Sequence, residues 1–136
     1  MTSEFADNVA PSADDILEIA HATVRELPDR FRRAAGRVTI IVDEFAPEDI
    51  LDDLEIDDPY ELTGLYDGIP MTEKSVMDQP TGPDRIWLFR RPILDEWASR
   101  GEISLGDLVA HIYIHELAHH FGWSDEDIAR IDRWWE

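Results

Sequence analysis

The segment His115-Glu116-Leu117-Ala118-His119 constrains this chain more than any other, because its chemistry works only on a helix. At about 100° per residue, positions four apart lie on one stripe, one turn above the other. His115 and His119 then aim two imidazoles at one divalent ion, for which zinc is the expectation. Glu116, about 100° from His115, reaches a water on that ion without being forced to become a ligand. Setting His111 at 0°, residues Ile112, His115, Glu116 and His119 fall within roughly 40–140°. Ala110, Tyr113, Ile114, Leu117, Ala118 and Phe121 fill roughly 200–340°. One side of the helix is therefore chemical, and the other needs a second layer of structure to bury it.

The residues that follow extend the pattern to H-E-x-x-H-x-x-G-x-x-D. Gly122 stands where a left-handed turn ends a helix and lets the chain double back. Asp125 falls six residues after His119, where an aspartate oxygen serves as a third zinc ligand and leaves a fourth position for water. It has a second reading. Ser124 and Asp127 have the spacing of a capping box, which makes Asp125 a first-turn acid favoured by the helix dipole. The pentapeptide is also short enough to arise by chance in unrelated helices. Four of the five histidines lie between His111 and His120. His111 reads as a supporting or core residue, His120, near 180° on the wheel, as a partly exposed flank, and His21 as uninvolved.

The stretch from His115 through Phe121, Gly122 and Asp125 to Glu126 resembles the minimal zincin family, small bacterial α/β proteins described as possible zinc metallopeptidases. The likeness extends to Leu65-Tyr66-Asp67-Gly68-Ile69-Pro70 and to Arg85-Ile86-Trp87-Leu88-Phe89, and spans residues 12–136. The resemblance implies that His115, His119 and Asp125 hold Zn2+ and that Glu116 is the catalytic base. It also implies hydrolysis of a peptide bond by a metal-activated water, in a peptide or protein substrate. It does not supply the physiological substrate.

Composition limits the alternatives. The 136 residues, 43% hydrophobic, suit one domain with a real core. Without cysteine there is no disulfide, thiolate catalysis or cysteine-based zinc site. The acidic start, Met1 to Asp15, is not a secretory signal, and no apolar run approaches the ~20 residues that span a bilayer. A cytoplasmic protein with no membrane partner is expected. Twelve basic against 31 acidic residues give −19, and Asp43 to Glu61 holds ten acids and no base. Such a field disfavours nucleic acid as a partner. It suits either a solvated surface or one that attracts basic peptides.

Along the chain, residues 1–11 read as a disordered leader and 12–136 as a single domain. Ser12 and Asp15 form a capping box for a helix with Ile16, Ile19, Ala20, Val24 and Leu27 on one stripe. Pro28 interrupts it, and a short helical turn ends at Gly36. Strands are expected at Val38–Val42, Leu62–Tyr66 and Arg85–Phe89, with a short helix from Pro47 to Leu54. The Pro- and Gly-containing segment from Asp67 to Asp84 is a loop and a candidate lid. Pro92 lies near the start of a helix carrying Leu94 and Trp97, and Ser104 caps the motif helix. The five tryptophans, Trp87, Trp97, Trp123, Trp134 and Trp135, read as packing groups.

The architecture is α/β (α+β), a sheet of three or four strands flanked by helices. Arg85–Phe89 and Leu62–Tyr66 are equally eligible as an edge strand that holds an extended peptide. His111, Tyr60 and Tyr66 are unranked candidates for an oxyanion donor. Two other classes remain open. One is a metal-dependent endoribonuclease, disfavoured by Glu116 and by the charge. The other is a non-catalytic acidic module that binds a protein partner.

Overall fold

The computed structural model describes residues 10–68 and 84–122. Helix α1, Ala13–Glu26, starts at the expected capping box. The Ser12 hydroxyl accepts from the Asp15 N–H (3.1 Å), and the Asp15 carboxylate accepts from the Ser12 N–H (2.8 Å). Pro28 ends it and opens α2, Asp29–Ala35. Strand β1, Thr39–Asp43, follows, then α3, Glu48–Asp53, with Pro47 before its first turn. A 3-10 turn at Pro59–Glu61 leads into β2, Gly64–Asp67. Strand β3 is Arg85–Phe89, and it runs directly into α4, Arg90–Arg100. Helix α5, Leu105–His120, begins where the Ser104 hydroxyl accepts from the Asp107 N–H at 3.1 Å. Of the predicted leader, Pro11 is tied down through its carbonyl, which accepts from Arg90 Nε at 2.7 Å. Residues 1–9, most of the predicted lid, the Ser124–Asp127 capping box, and Trp123, Trp134 and Trp135 lie outside the described residues.

The sheet has the order β1-β3-β2, with β1 parallel and β2 antiparallel to β3. Arg85–Phe89 is therefore the central strand, and Gly64–Asp67 is an edge. Its alternation explains the two cores. Ile86 and Leu88, both fully buried, join Ile16 and Ala20 of α1 and Leu108, Val109, Tyr113 and Leu117 of α5. Trp87 and Phe89 point the other way, towards Ala46 and Leu51 beside β1 and α3. A strand buried on both faces carries near-continuous apolar residues, as Ile86-Trp87-Leu88-Phe89 does. Trp97 packs against the first core, and its indole N–H donates to the Ile103 carbonyl at 3.0 Å.

The start of α4 is fixed electrostatically. Arg90 and Arg91 both donate to Glu44 Oε1, at 2.8 and 3.1 Å, which ties the end of β1 to the end of β3. Arg91 and Arg90 hold the Glu44 carboxyl below its ordinary range.

Tyr113 is fully buried at the centre of the first core, and its hydroxyl has no hydrogen-bond partner among the described residues. A buried unsatisfied hydroxyl costs about 1–3 kcal/mol, while the ring contributes its full apolar area. Tyr113→Phe should therefore leave the fold intact and raise unfolding free energy by about 1 kcal/mol in urea denaturation. A loss of similar size would show that the hydroxyl is satisfied.

Candidate metal centre and its strand support

Helix α5 positions the motif by burying its opposite side. Leu108, Val109, Tyr113, Ile114, Leu117 and Ala118 are all buried, so rotation about the helix axis is not available to the opposite stripe. On that stripe, ligand atoms of His115, Glu116 and His119 lie within 4.8 Å of one another. The two imidazoles meet edge to face, with centroids 5.0 Å apart. All three residues are half-buried, and His111 is half-buried one turn earlier on the same helix. Helix α5 ends as its sequence requires: Gly122 takes φ 77° and its N–H donates to the His119 carbonyl at 2.9 Å. Asp125 lies outside the described residues.

Edge strand β2 lies directly against this stripe, and a glycine makes that possible. A Cβ on Gly64 would stand 2.8 Å from Ile112 Cγ2 and 3.3 Å from Glu116 Cγ. The hydrogen-bond alternation of β2 follows from one contact. The Phe89 N–H donates to the Thr63 carbonyl at 2.9 Å, so Leu65 and Asp67 bond to β3. The N–H and C=O groups of Gly64 and Tyr66 consequently face away from the sheet. The Tyr66 N–H acts on the Glu116 carboxylate and favours its charged form, as do His115 and His119. Burial outweighs them and raises the Glu116 pKa above the usual carboxylate range. A carboxylate made more basic in this way is a better proton acceptor near neutral pH.

Sequence reasoning missed the group that holds β2 in place. His120 is 4% exposed rather than a partly exposed flank. Its Nδ1 lies 3.0 Å from the Tyr66 hydroxyl and 3.0 Å from Asp84 Oδ2. The Tyr66 hydroxyl donates to that same Asp84 oxygen at 2.8 Å, so the proton on this edge of the imidazole sits on Nδ1. The Tyr66 and His120 rings meet edge to face at 5.6 Å. Three residues that a helical wheel cannot bring together thus clamp β2 to the last turn of α5. Tyr66 is 54 positions from His120 and 18 from Asp84, and no local pattern signals either partner. Of the other proposed donors, Tyr60 lies on the 3-10 turn and meets Phe45 edge to face, with centroids 5.1 Å apart.

The sequence matches a known family. The family model that describes a zincin-like metallopeptidase matches residues 35–135, most of the chain. The chain belongs to the zincin-like metallopeptidase family. A search of curated proteins finds no match. The matched span begins at the end of α2, so α1 lies ahead of it, although Ile16 and Ala20 complete the core behind α5. Membership of a zincin-like family implies a hydrolase with a bound metal, typically zinc, and the donor set here fits. Two imidazoles on consecutive turns are borderline-soft nitrogen ligands of the kind zinc selects. Among the described residues no helix is long and apolar enough to cross a membrane.

Gly64→Ala tests whether the strand and helix are as close as this arrangement requires. The added methyl should push β2 from Ile112 and Glu116 and cost about 1–3 kcal/mol of stability in denaturant titration. A variant as stable as the parent would contradict the close approach.

Proposed function

We propose that this protein is a metal-dependent peptidase that hydrolyses peptide bonds, with Glu116 as general base. The reading is carried by one observation: Glu116 is a half-buried carboxylate, raised in pKa, beside two imidazoles on one helical stripe and the edge of β2. His115 and His119 would hold a zinc ion, and Asp125 is proposed as the third protein ligand. When bound, the ion supplies a Lewis acid that polarises the scissile carbonyl and brings the pKa of water towards about 7.

The chain's own residues do the rest. Glu116 takes the proton of the attacking water and returns it to the nitrogen of the leaving amine. Its raised pKa suits both halves of that shuttle, since the same group must accept and then donate. The Gly64 N–H and C=O and the Tyr66 C=O, all turned outward from β3, suit pairing with an extended substrate backbone. A peptide so paired passes over Glu116, because the Tyr66 N–H acts on that carboxylate from the same edge. The clamp of Tyr66, Asp84 and His120 keeps edge and base in register.

A peptide substrate accords better with the surface charge than RNA does. A net charge of −19 repels a phosphate backbone, and Glu116 has no ready task in an endoribonuclease that relies on three ligands alone.

Glu116→Gln separates base from ligand. The amide preserves the shape of the side chain but cannot accept the proton. With internally quenched peptide libraries, kcat/KM should fall by roughly 10²–10⁴-fold while zinc content by elemental analysis stays at the parent level. Parent-level turnover would remove Glu116 from its role, and loss of zinc with turnover would make it a ligand instead.

A further inference from the structure

The face of the sheet turned away from α5 carries a groove that the catalytic reading leaves unused. It encloses about 410 Å³ between α3 and the strands β2 and β3. Ile50, Leu54, Leu65 and Trp87 are among its apolar lining residues, and Asp49 and Asp53 also line it. The sequence of α3 explains the arrangement. Asp49 and Asp53 are four apart, as are Ile50 and Leu54, so an acidic stripe runs beside an apolar one. Leu54 remains 46% exposed, unusual for a large aliphatic side chain beside a cavity.

The charges are unbalanced. Asp67, also on the groove, is paired with Arg85 at 3.0 Å. Asp49 and Asp53 have no ion-pair partner among the described residues, and they belong to the run of ten acids without a base. An occupant must cover apolar surface along its length and end in a cation. Lysine and arginine side chains have that form: an aliphatic stem and a charged head.

Strand register connects the groove to the metal centre. Gly64 and Tyr66 face α5, whereas Leu65 and Asp67 face the groove. A peptide added to the free edge of β2 alternates in the same way, sending every second side chain to each face. We infer that the groove is a specificity site for a Lys or Arg side chain of an extended peptide paired along β2. The favoured substrates are then basic segments, with the cationic residue on the face opposite α5. This inference rests on the peptidase reading above, and the test below keeps the two apart.

The probes are fluorescein-labelled octapeptides rich in Val and Thr, with either Lys or the neutral isostere norleucine at every second position. Binding is followed by anisotropy to zinc-loaded Glu116→Gln protein, and cleavage by mass spectrometry with the parent enzyme. The Lys peptide should bind about tenfold more tightly than its norleucine counterpart, since two exposed charge pairs contribute a few-fold each. High salt should erode the preference, and Asp49→Asn with Asp53→Asn should abolish it. Both aspartates are exposed, and circular dichroism verifies that the double variant folds. Equal binding of the two peptides, or a Lys preference that survives the double variant, overturns the groove assignment. Lys-dependent binding without cleavage by the parent upholds the groove and overturns the peptidase reading. Cleavage with no Lys preference does the reverse.

Discussion

The contact between Gly64 of β2 and the Ile112–Glu116 turn of α5 is what the rest of this structure serves. A strand edge and a helix approach within van der Waals distance there only because one residue has no side chain, and both partners are anchored from behind. Helix α5 is held by Leu108, Val109, Tyr113 and Leu117, each at most 3% exposed. Burial of one such side chain contributes about 1.5–3 kcal/mol, so the helix cannot roll to relieve strain on its motif stripe. Strand β2 is held by its pairing to the central strand β3 and by the Tyr66–Asp84–His120 clamp. Position on one element is thereby converted into position on the other.

Function follows from that rigidity. On the proposed reading, a general base and two metal-ligating imidazoles must be fixed relative to one another before substrate arrives, because reorganisation during reaction costs rate. Spacing along one helix fixes His115, Glu116 and His119 relative to each other. The β2 edge fixes them relative to whatever backbone lies along the strand. The same strand separates two environments: the helix side with the histidine motif, and the α3 side with apolar surface and the exposed carboxylates of Asp49 and Asp53. Specificity and catalysis can then be tuned by different residues of one short segment.

Local patterns were legible in the sequence and long-range ones were not. The caps at Ser12 and Ser104, the stop at Gly122 and the strand at Arg85–Phe89 each depend on neighbours within a few positions, and each stands as its residues suggest. The zincin resemblance, carried by the histidine motif, agrees with the matched family. Strand order was illegible because apolar runs of similar length do not reveal which one is paired on both sides. Only the sheet itself makes Arg85–Phe89 central and Gly64–Asp67 the edge. His120 was misread for a related reason. A helical wheel places it at the border of the polar face, but Tyr66 and Asp84 come from elsewhere in the chain to cover it. Gly64 carried no signal at all, since its importance lies in what a methyl group would strike.

The central claim is that α5 carries a metal centre beside the edge of β2, and metal content tests it most directly. The untagged protein would be purified without chelator beside His119→Ala, and both analysed for zinc and for folding. About one zinc per chain in the parent, absent from a folded variant, is the predicted result. A folded parent that is free of metal and refuses added zinc would contradict it.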